Sequence, residues 1–293
     1  MKRIGLVALN AEKDLTVSLA TLLNGTIIPL KKQVFFDQEC VFEINQLIEY
    51  DLVYIVAKTI SAPEVTYFHI GAVADLLRRN GVQHIHLIAP YLSFSRQIND
   101  KNHQTNSFIL SLQLLKHAGI SRIFTLDFHN PLTQVPLEIH NIKTQPYLKE
   151  FISPTAKMVV ISPDHGGSER AETLAHALGV DAKSFRKVRD ENGIKISFAG
   201  TLPYQSAVIV DDILSSGETI KEAVLLLHKS GIKEITLVIT HLVEPQVLLK
   251  LMQEFEFRNV FVFNSLRKPL LEQVNYLVID KLFYDAIKGE QNE

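Results

Sequence analysis

Ala207-Val-Ile-Val-Asp211-Asp212-Ile-Leu-Ser215-Ser216-Gly217-Glu218-Thr219-Ile220 is the stretch on which the fold turns. Its opening residues are apolar at odd and even positions alike. Both faces of such a strand are dry, as in the inner strands of a parallel sheet covered by helices on each side. Two carboxylates follow, then a short polar turn, and apolar residues return at helical spacing through Lys229. Backbone N–H groups at that helix start, with the hydroxyls of Ser216 and Thr219, make a site for a dianionic phosphate. The carboxylates just upstream would repel a phosphate, so they serve something beside it, either ribose hydroxyls or a metal. A purely structural reading is a helix N-cap at Ser215 or Ser216 with a solvated acidic pair.

The same alternation runs outward in both directions. Strands are expected at Ile4–Leu9, Leu52–Ala57, His84–Ala89, Arg122–Asp127, Lys157–Ser162, Ala207–Asp212, Glu234–Thr240 and Asn259–Phe263. Helices are expected at Ala62–Arg79, Asn102–His117, Gly167–Leu178 and Gly217–Lys229. This predicts an α/β protein with mostly parallel sheets. One pattern recurs at Leu76–Ile85, Leu114–Ile123 and Leu226–Ile235: two leucines, a basic turn, a glycine suited to a left-handed cap, then a strand. Every helix-to-strand joint needs these parts, yet identical spacing also suits two halves of related fold. The expected domains are residues 1–145 and 146–293, divided near Pro146 and Pro154.

Of the 293 residues, 46% are hydrophobic and 21% charged, enough apolar material for two cores. The net charge of −2 comes from mixed signs, without the basic stripe that nucleic-acid binding requires, so no nucleic acid is expected. A single cysteine, Cys40, excludes an intrachain disulfide and fits a reducing compartment. The amino terminus lacks the features of a signal peptide and no apolar run approaches bilayer length, so no membrane partner and a cytoplasmic location are expected.

The acidic pair and its turn resemble the phosphoribosyl-binding loop of type I phosphoribosyltransferases and ribose-phosphate diphosphokinases. That resemblance gives Asp211 and Asp212 the 2′ and 3′ hydroxyls, and gives Ser215, Ser216, Gly217 and Thr219 the 5-phosphate. Ser215 and Glu218 depart from the common pattern, which has an acidic residue and a glycine there. Further segments resemble the diphosphokinases in particular. Phe35-Phe36-Asp37-Gln38-Glu39 is similar to a Phe-x-Asp-Gly-Glu loop that completes the adenine site of a neighbouring subunit, with Gln38 in place of glycine. Ala89-Pro90-Tyr91 through Arg96-Gln97 resembles an ATP-contacting segment, and Thr125-Leu-Asp127-Phe-His129 resembles a motif whose histidine binds magnesium–ATP. Ser162-Pro163-Asp164-His-Gly166-Gly167-Ser-Glu-Arg170 matches a segment whose aspartate is a second magnesium contact; Arg170 either touches nucleotide or braces the turn. Phe185-Arg186-Lys187-Val188-Arg189 looks like the Lys-x-Arg of a mobile catalytic loop in its compact form, or else a solvated hairpin.

The resemblance implies two phosphoribosyltransferase-like domains and transfer of a diphosphoryl group from ATP to ribose 5-phosphate. It assigns catalysis to Lys187 and Arg189, ATP to Phe35, Asp37, Glu39, Arg96, Gln97 and His129, and Mg2+ to His129 and Asp164. It also implies a homo-oligomer. The text after Gln97, from Ile98 to Asn106, lacks the short Arg-Glu-Pro stretch with which the family usually continues. Two alternatives stay open: a weakly active or regulatory homologue, and a phosphoribosyltransferase that consumes the activated sugar.

Overall fold

In the computed structural model, which describes residues 3–10, 13–45, 50–97, 103–129, 135–190, 193–266 and 271–291, the chain divides into two units. Side chains at 187–190 and 193–194 lie outside that description. Residues 1–142 and 280–293 form the first unit, and 143–279 the second.

The first unit contains β1 (Ile4–Leu9), α1 (Lys13–Leu23), β2 (Thr26–Ile27), β3 (Lys31–Val34), β4 (Cys40–Glu43), β5 (Leu52–Ala57), α2 (Pro63–Arg79), β6 (His84–Ile88), α3 (Ser107–Ala118), β7 (Ile120–Leu126) and β8 (Glu138–Ile142). The second contains β9 (Met158–Ser162), α4 (Ser168–Leu178), β10 (Asp181–Ser184), β11 (Arg186–Asp190), β12 (Gly193–Ser197), β13 (Ser206–Leu214), α5 (Glu218–Lys229), β14 (Glu234–Leu242), α6 (Pro245–Glu254), β15 (Asn259–Phe263) and β16 (Asn275–Leu277). A last helix, α7 (Asp280–Gln291), returns to the first unit.

The sheet orders are β2-β1-β5-β6-β7-β8 and β10-β9-β13-β14-β15-β16, with every neighbouring pair parallel. Element for element these are one topology used twice. In each unit an antiparallel hairpin, β3–β4 or β11–β12, stands between the edge strand and the third strand of the sheet. All six residues of β5 are buried, as its two-faced apolar reading requires. Each unit has its own core. Val53, Ile55, Leu77 and Leu87 belong to the first, and Ile161, Ile209, Val224 and Leu237 to the second. Burying one such side chain contributes about 1.5–3 kcal/mol before entropy is charged against it.

The repeated joint behaves as its sequence predicts: Gly81, Gly119 and Gly231 have φ of 90°, 111° and 85°, values that carry little cost only without a Cβ. Among the described residues no helix is long and apolar enough to cross a membrane.

Several expectations need adjustment. The strand expected at Arg122–Asp127 runs from Ile120 to Leu126, because Asp127 turns to φ 36° and leaves the extended region. The helix expected from Asn102 starts at Ser107, where the Asn106 side chain accepts from the Ile109 amide and caps it. Helix α7 falls outside the expected second domain, since it clusters with the first unit. Glu290 of α7 meets Arg122 at 2.5 Å and His140 at 3.0 Å, while Phe283 and Ile287 are fully buried.

Candidate active site

In open parallel sheets, ligands bind beyond the carboxyl ends of the strands, where the strand order reverses. In the second unit that point lies between β9 and β13, and the acidic pair and Asp164 stand there. Successive residues of a strand face opposite ways. Asp212 is almost fully buried at 2% exposure, while Asp211 is half-buried. Arg170, projecting from α4, donates through Nη2 to Asp212 Oδ1 at 3.0 Å. The Asp212 amide donates to Asp211 Oδ1 at 3.0 Å. Burial, and then the charge of Asp212, push the Asp211 carboxyl well above the usual carboxylate range; Arg170 pulls it back, and Asp164 adds to the rise.

Beyond the strand, Ser215 is half-buried, Ser216 exposed and Gly217 buried. The N-cap of α5 is Gly217 itself, at φ 76° and without a side-chain cap bond, rather than Ser215 or Ser216. A Cβ on Gly217 would lie 2.5 Å from Val247 Cγ1 on α6, so close packing as well as φ requires glycine here. The serine hydroxyls are thereby not used as the cap of α5, and the first-turn amides face the turn without a side-chain acceptor supplied at the cap. Glu218 is exposed in that first turn, where a carboxylate interacts favourably with the helix dipole.

Asp164 caps the 3₁₀ turn His165–Gly167, accepting from the Gly167 amide at 3.1 Å, and the Ser162 hydroxyl donates to the Asp164 carbonyl at 2.6 Å. Lys187 and Arg189 occupy β11, whose pairing with β12 makes the hairpin of the second reading; their side chains lie outside the described residues.

In the first unit, Arg96 and Gln97 are exposed in a 3₁₀ turn after β6. A buried lattice fixes the segment leading to them. Thr59 Oγ1 donates to the Tyr91 carbonyl at 2.6 Å and accepts from the Ser93 amide at 3.1 Å. Ser93 Oγ donates to the Thr59 carbonyl at 2.7 Å, and Tyr67 donates to the Ser93 carbonyl at 3.0 Å. Phe94 takes a left-handed φ of 67° and stacks on Tyr67. His129 is exposed, two residues beyond Asp127. Both left-handed residues flank predicted nucleotide contacts, the setting in which backbone strain is retained for function. No sequence signal announces either.

Phe35, Asp37 and Glu39 lie exposed on the connection between β3 and β4, with Phe36 standing wholly in solvent at 104% exposure. The Gln38 amide donates to the Phe35 carbonyl at 3.0 Å, and Gln38 sits at φ 73°, the conformation that explains a glycine in the resembling loop.

A hard divalent cation seeks oxygen donors. Asp211 and Asp212 supply carboxylates, Asp164 is near enough to act on Asp211, and Arg170 is ion-paired with Asp212. Among the described residues no three His, Cys, Asp or Glu side chains stand close enough to enclose an ion. The site therefore suits an ion held largely by ligand oxygens and water.

A parallel sheet whose third strand carries an acidic pair near its carboxyl end, followed by a glycine-started helix, is the arrangement that the resemblance to phosphoribosyltransferases leads one to expect. Comparison carries this further. Residues 4–119 match the N-terminal domain of ribose phosphate pyrophosphokinase, and residues 147–262 match the phosphoribosyl transferase domain. The ribose-phosphate pyrophosphokinase of Mycoplasmopsis pulmonis is 33% identical over 72% of this chain and 68% of its own length. That of Bacillus caldolyticus is 27% identical over 94% of this chain and 90% of its own. The crystal structure of phosphoribosylpyrophosphate synthetase from Mycobacterium smegmatis matches with a TM-score of 0.86 and 25% identity over 99% of both chains. This chain belongs to the ribose-phosphate pyrophosphokinase family.

Proposed function

We propose that this protein is a ribose-phosphate diphosphokinase, a transferase that makes phosphoribosyl diphosphate and AMP from ATP and ribose 5-phosphate. The observation that carries the reading is the β13–α5 turn, where an acidic pair and a helix start bounded by Gly217 stand together in a chain of this family.

The turn from Ser215 to Thr219 binds the 5-phosphate through backbone amides and hydroxyls. Asp211 and Asp212 accept the sugar hydroxyls and orient the anomeric carbon. Its hydroxyl oxygen attacks the β-phosphorus, an O–P bond forms, the bond to the α-phosphate oxygen breaks, and AMP leaves with that electron pair. The hydroxyl proton passes to solvent or to a phosphate oxygen. Phe35, Asp37, Glu39, Arg96, Gln97 and His129 serve the nucleotide, the aromatic ring stacking on adenine. Lys187 and Arg189 stabilise charge on the group in transfer. Asp164 and His129 are the protein groups assigned to Mg2+, which supplies neutralisation of phosphate charge when bound. The hairpin of one copy completes the adenine site of another, so the active species is a homo-oligomer, located in the cytoplasm.

Incubation with ATP, Mg2+ and ribose 5-phosphate tests the reading. AMP and phosphoribosyl diphosphate in equal amounts are expected. Tight ribose 5-phosphate binding without AMP at high protein concentration would leave a regulatory homologue instead. An active monomer would contradict the shared adenine site.

A further inference from the structure

We infer that Arg170 is a positioning residue of the sugar site, holding the Asp212 carboxylate in place for the acceptor's hydroxyls. This rests on the ribose 5-phosphate reading and deepens it. Sequence alone leaves Arg170 either touching nucleotide or bracing its own turn. The structure gives it a different partner, 42 residues along the chain and on another element.

Arg170 leaves α4 and reaches the end of β13, where its Nη2 meets Asp212 Oδ1 at 3.0 Å. Both side chains are withdrawn from water, at 14% and 2% exposure. The Asp211 carboxylate is held separately, by the backbone amide of Asp212, which donates to its Oδ1 at 3.0 Å. The guanidinium thus fixes one carboxylate of the pair, and the backbone of β13 fixes the other.

The guanidinium is itself held in place. It lies against the glycine turn that carries Asp164, where a Cβ on Gly167 would meet Arg170 Nη2 at 3.2 Å and Ser162 Oγ at 2.5 Å. Its Nε is buried with no hydrogen-bond acceptor among the described residues. An unsatisfied buried donor disfavours folding, so stability alone does not account for an arginine here. Charge does. Two adjacent carboxylates beside a phosphate site repel each other and the incoming dianion, and Arg170 cancels one of those charges.

The test compares ribose 5-phosphate with 2-deoxyribose 5-phosphate on the full-length wild type and on Arg170→Gln, by equilibrium binding and by KM and kcat. Wild type should prefer the ribose form by about tenfold or more, the value of a hydrogen bond to a charged group. Arg170→Gln should lose most of that preference and bind ribose 5-phosphate about ten- to a hundredfold more weakly. Its KM for ATP should stay within about twofold, since no nucleotide contact is removed. Should the Gln variant fail to fold, Arg170→Lys carries the same comparison, keeping the charge without the fork and retaining part of the preference. A folded variant of either kind with the full wild-type preference overturns the inference and leaves the sugar reading intact. A wild type that binds the two sugars equally overturns both.

Discussion

The loop after β5 and the loop after β13 occupy the same place in two copies of one topology, yet only the second joins an acidic pair to a helix whose first residue keeps its amide. Each leads from the third strand of its sheet into a helix, and each helix begins after a left-handed residue, Ala62 at φ 44° and Gly217 at φ 76°. The backbone path is shared. In the first unit the strand ends at Ala57, Lys58 and Thr59 follow it, and the helix opens with Pro63, which has no N–H to offer at its first position. In the second unit the strand end carries Asp211 and Asp212, and Glu218 keeps its amide. The buried side chain near the first strand end, Thr59, spends its hydroxyl on Tyr91 and Ser93 and so fixes the Arg96 segment. A duplicated fold thus has one loop given over to bracing, while the other is the one proposed to bind the sugar phosphate.

The largest effect should come from breaking the binding loop's buried pair. Asp212→Ala leaves the Arg170 guanidinium uncompensated, and chemical denaturation should show a loss of about 3–5 kcal/mol. The corresponding break in the first unit, Thr59→Val, strands a carbonyl and an amide. It should cost about 2 kcal/mol and weaken ATP more than ribose 5-phosphate in KM measurements.

Next come mirrored substitutions at the two helix starts. Gly217→Ala should destabilise by at least about 1–2 kcal/mol from the left-handed backbone, with more from the collision at Val247, and should abolish thermal protection by inorganic phosphate. Ala62→Gly relieves the same conformation in the first unit and should raise stability by about 0.5–1 kcal/mol without changing phosphate protection.

A smaller effect appears in pH dependence. Asp211 holds its proton more tightly in the folded chain than in the unfolded one, so stability falls as pH rises from the unfolded value through the folded one. Asp211→Asn should flatten that slope, gaining on wild type above the window and matching it most closely below. An Asp211→Asn variant whose slope equals that of wild type would show that Asp211 is not raised.

Much of this comparison was legible in the sequence. The inner strands β1, β5 and β15 carry uninterrupted apolar runs that fix their ends, and the leucine–glycine repeat announces two related halves. Edge strands β2 and β10 are short and largely polar, and the β3–β4 strands are mostly exposed, so no periodicity marks them. The home of α7 depends on Glu290 finding Arg122 and His140, partners that sequence spacing cannot reveal. The acidic pair was visible as a motif, but its unequal burial and its tie to Arg170 arise only when α4 packs beside β13. The helix start after β13 is legible from its polar turn, but that Gly217 rather than Ser215 or Ser216 makes the cap depends on a backbone conformation that the serines do not announce.

Calorimetric titration of ribose 5-phosphate into the intact protein tests the division between the two loops most directly. One site per chain is predicted, lost in Gly217→Ala and kept in Ala62→Gly. Two sites per chain, or a single site that survives Gly217→Ala and disappears in Ala62→Gly, would contradict it.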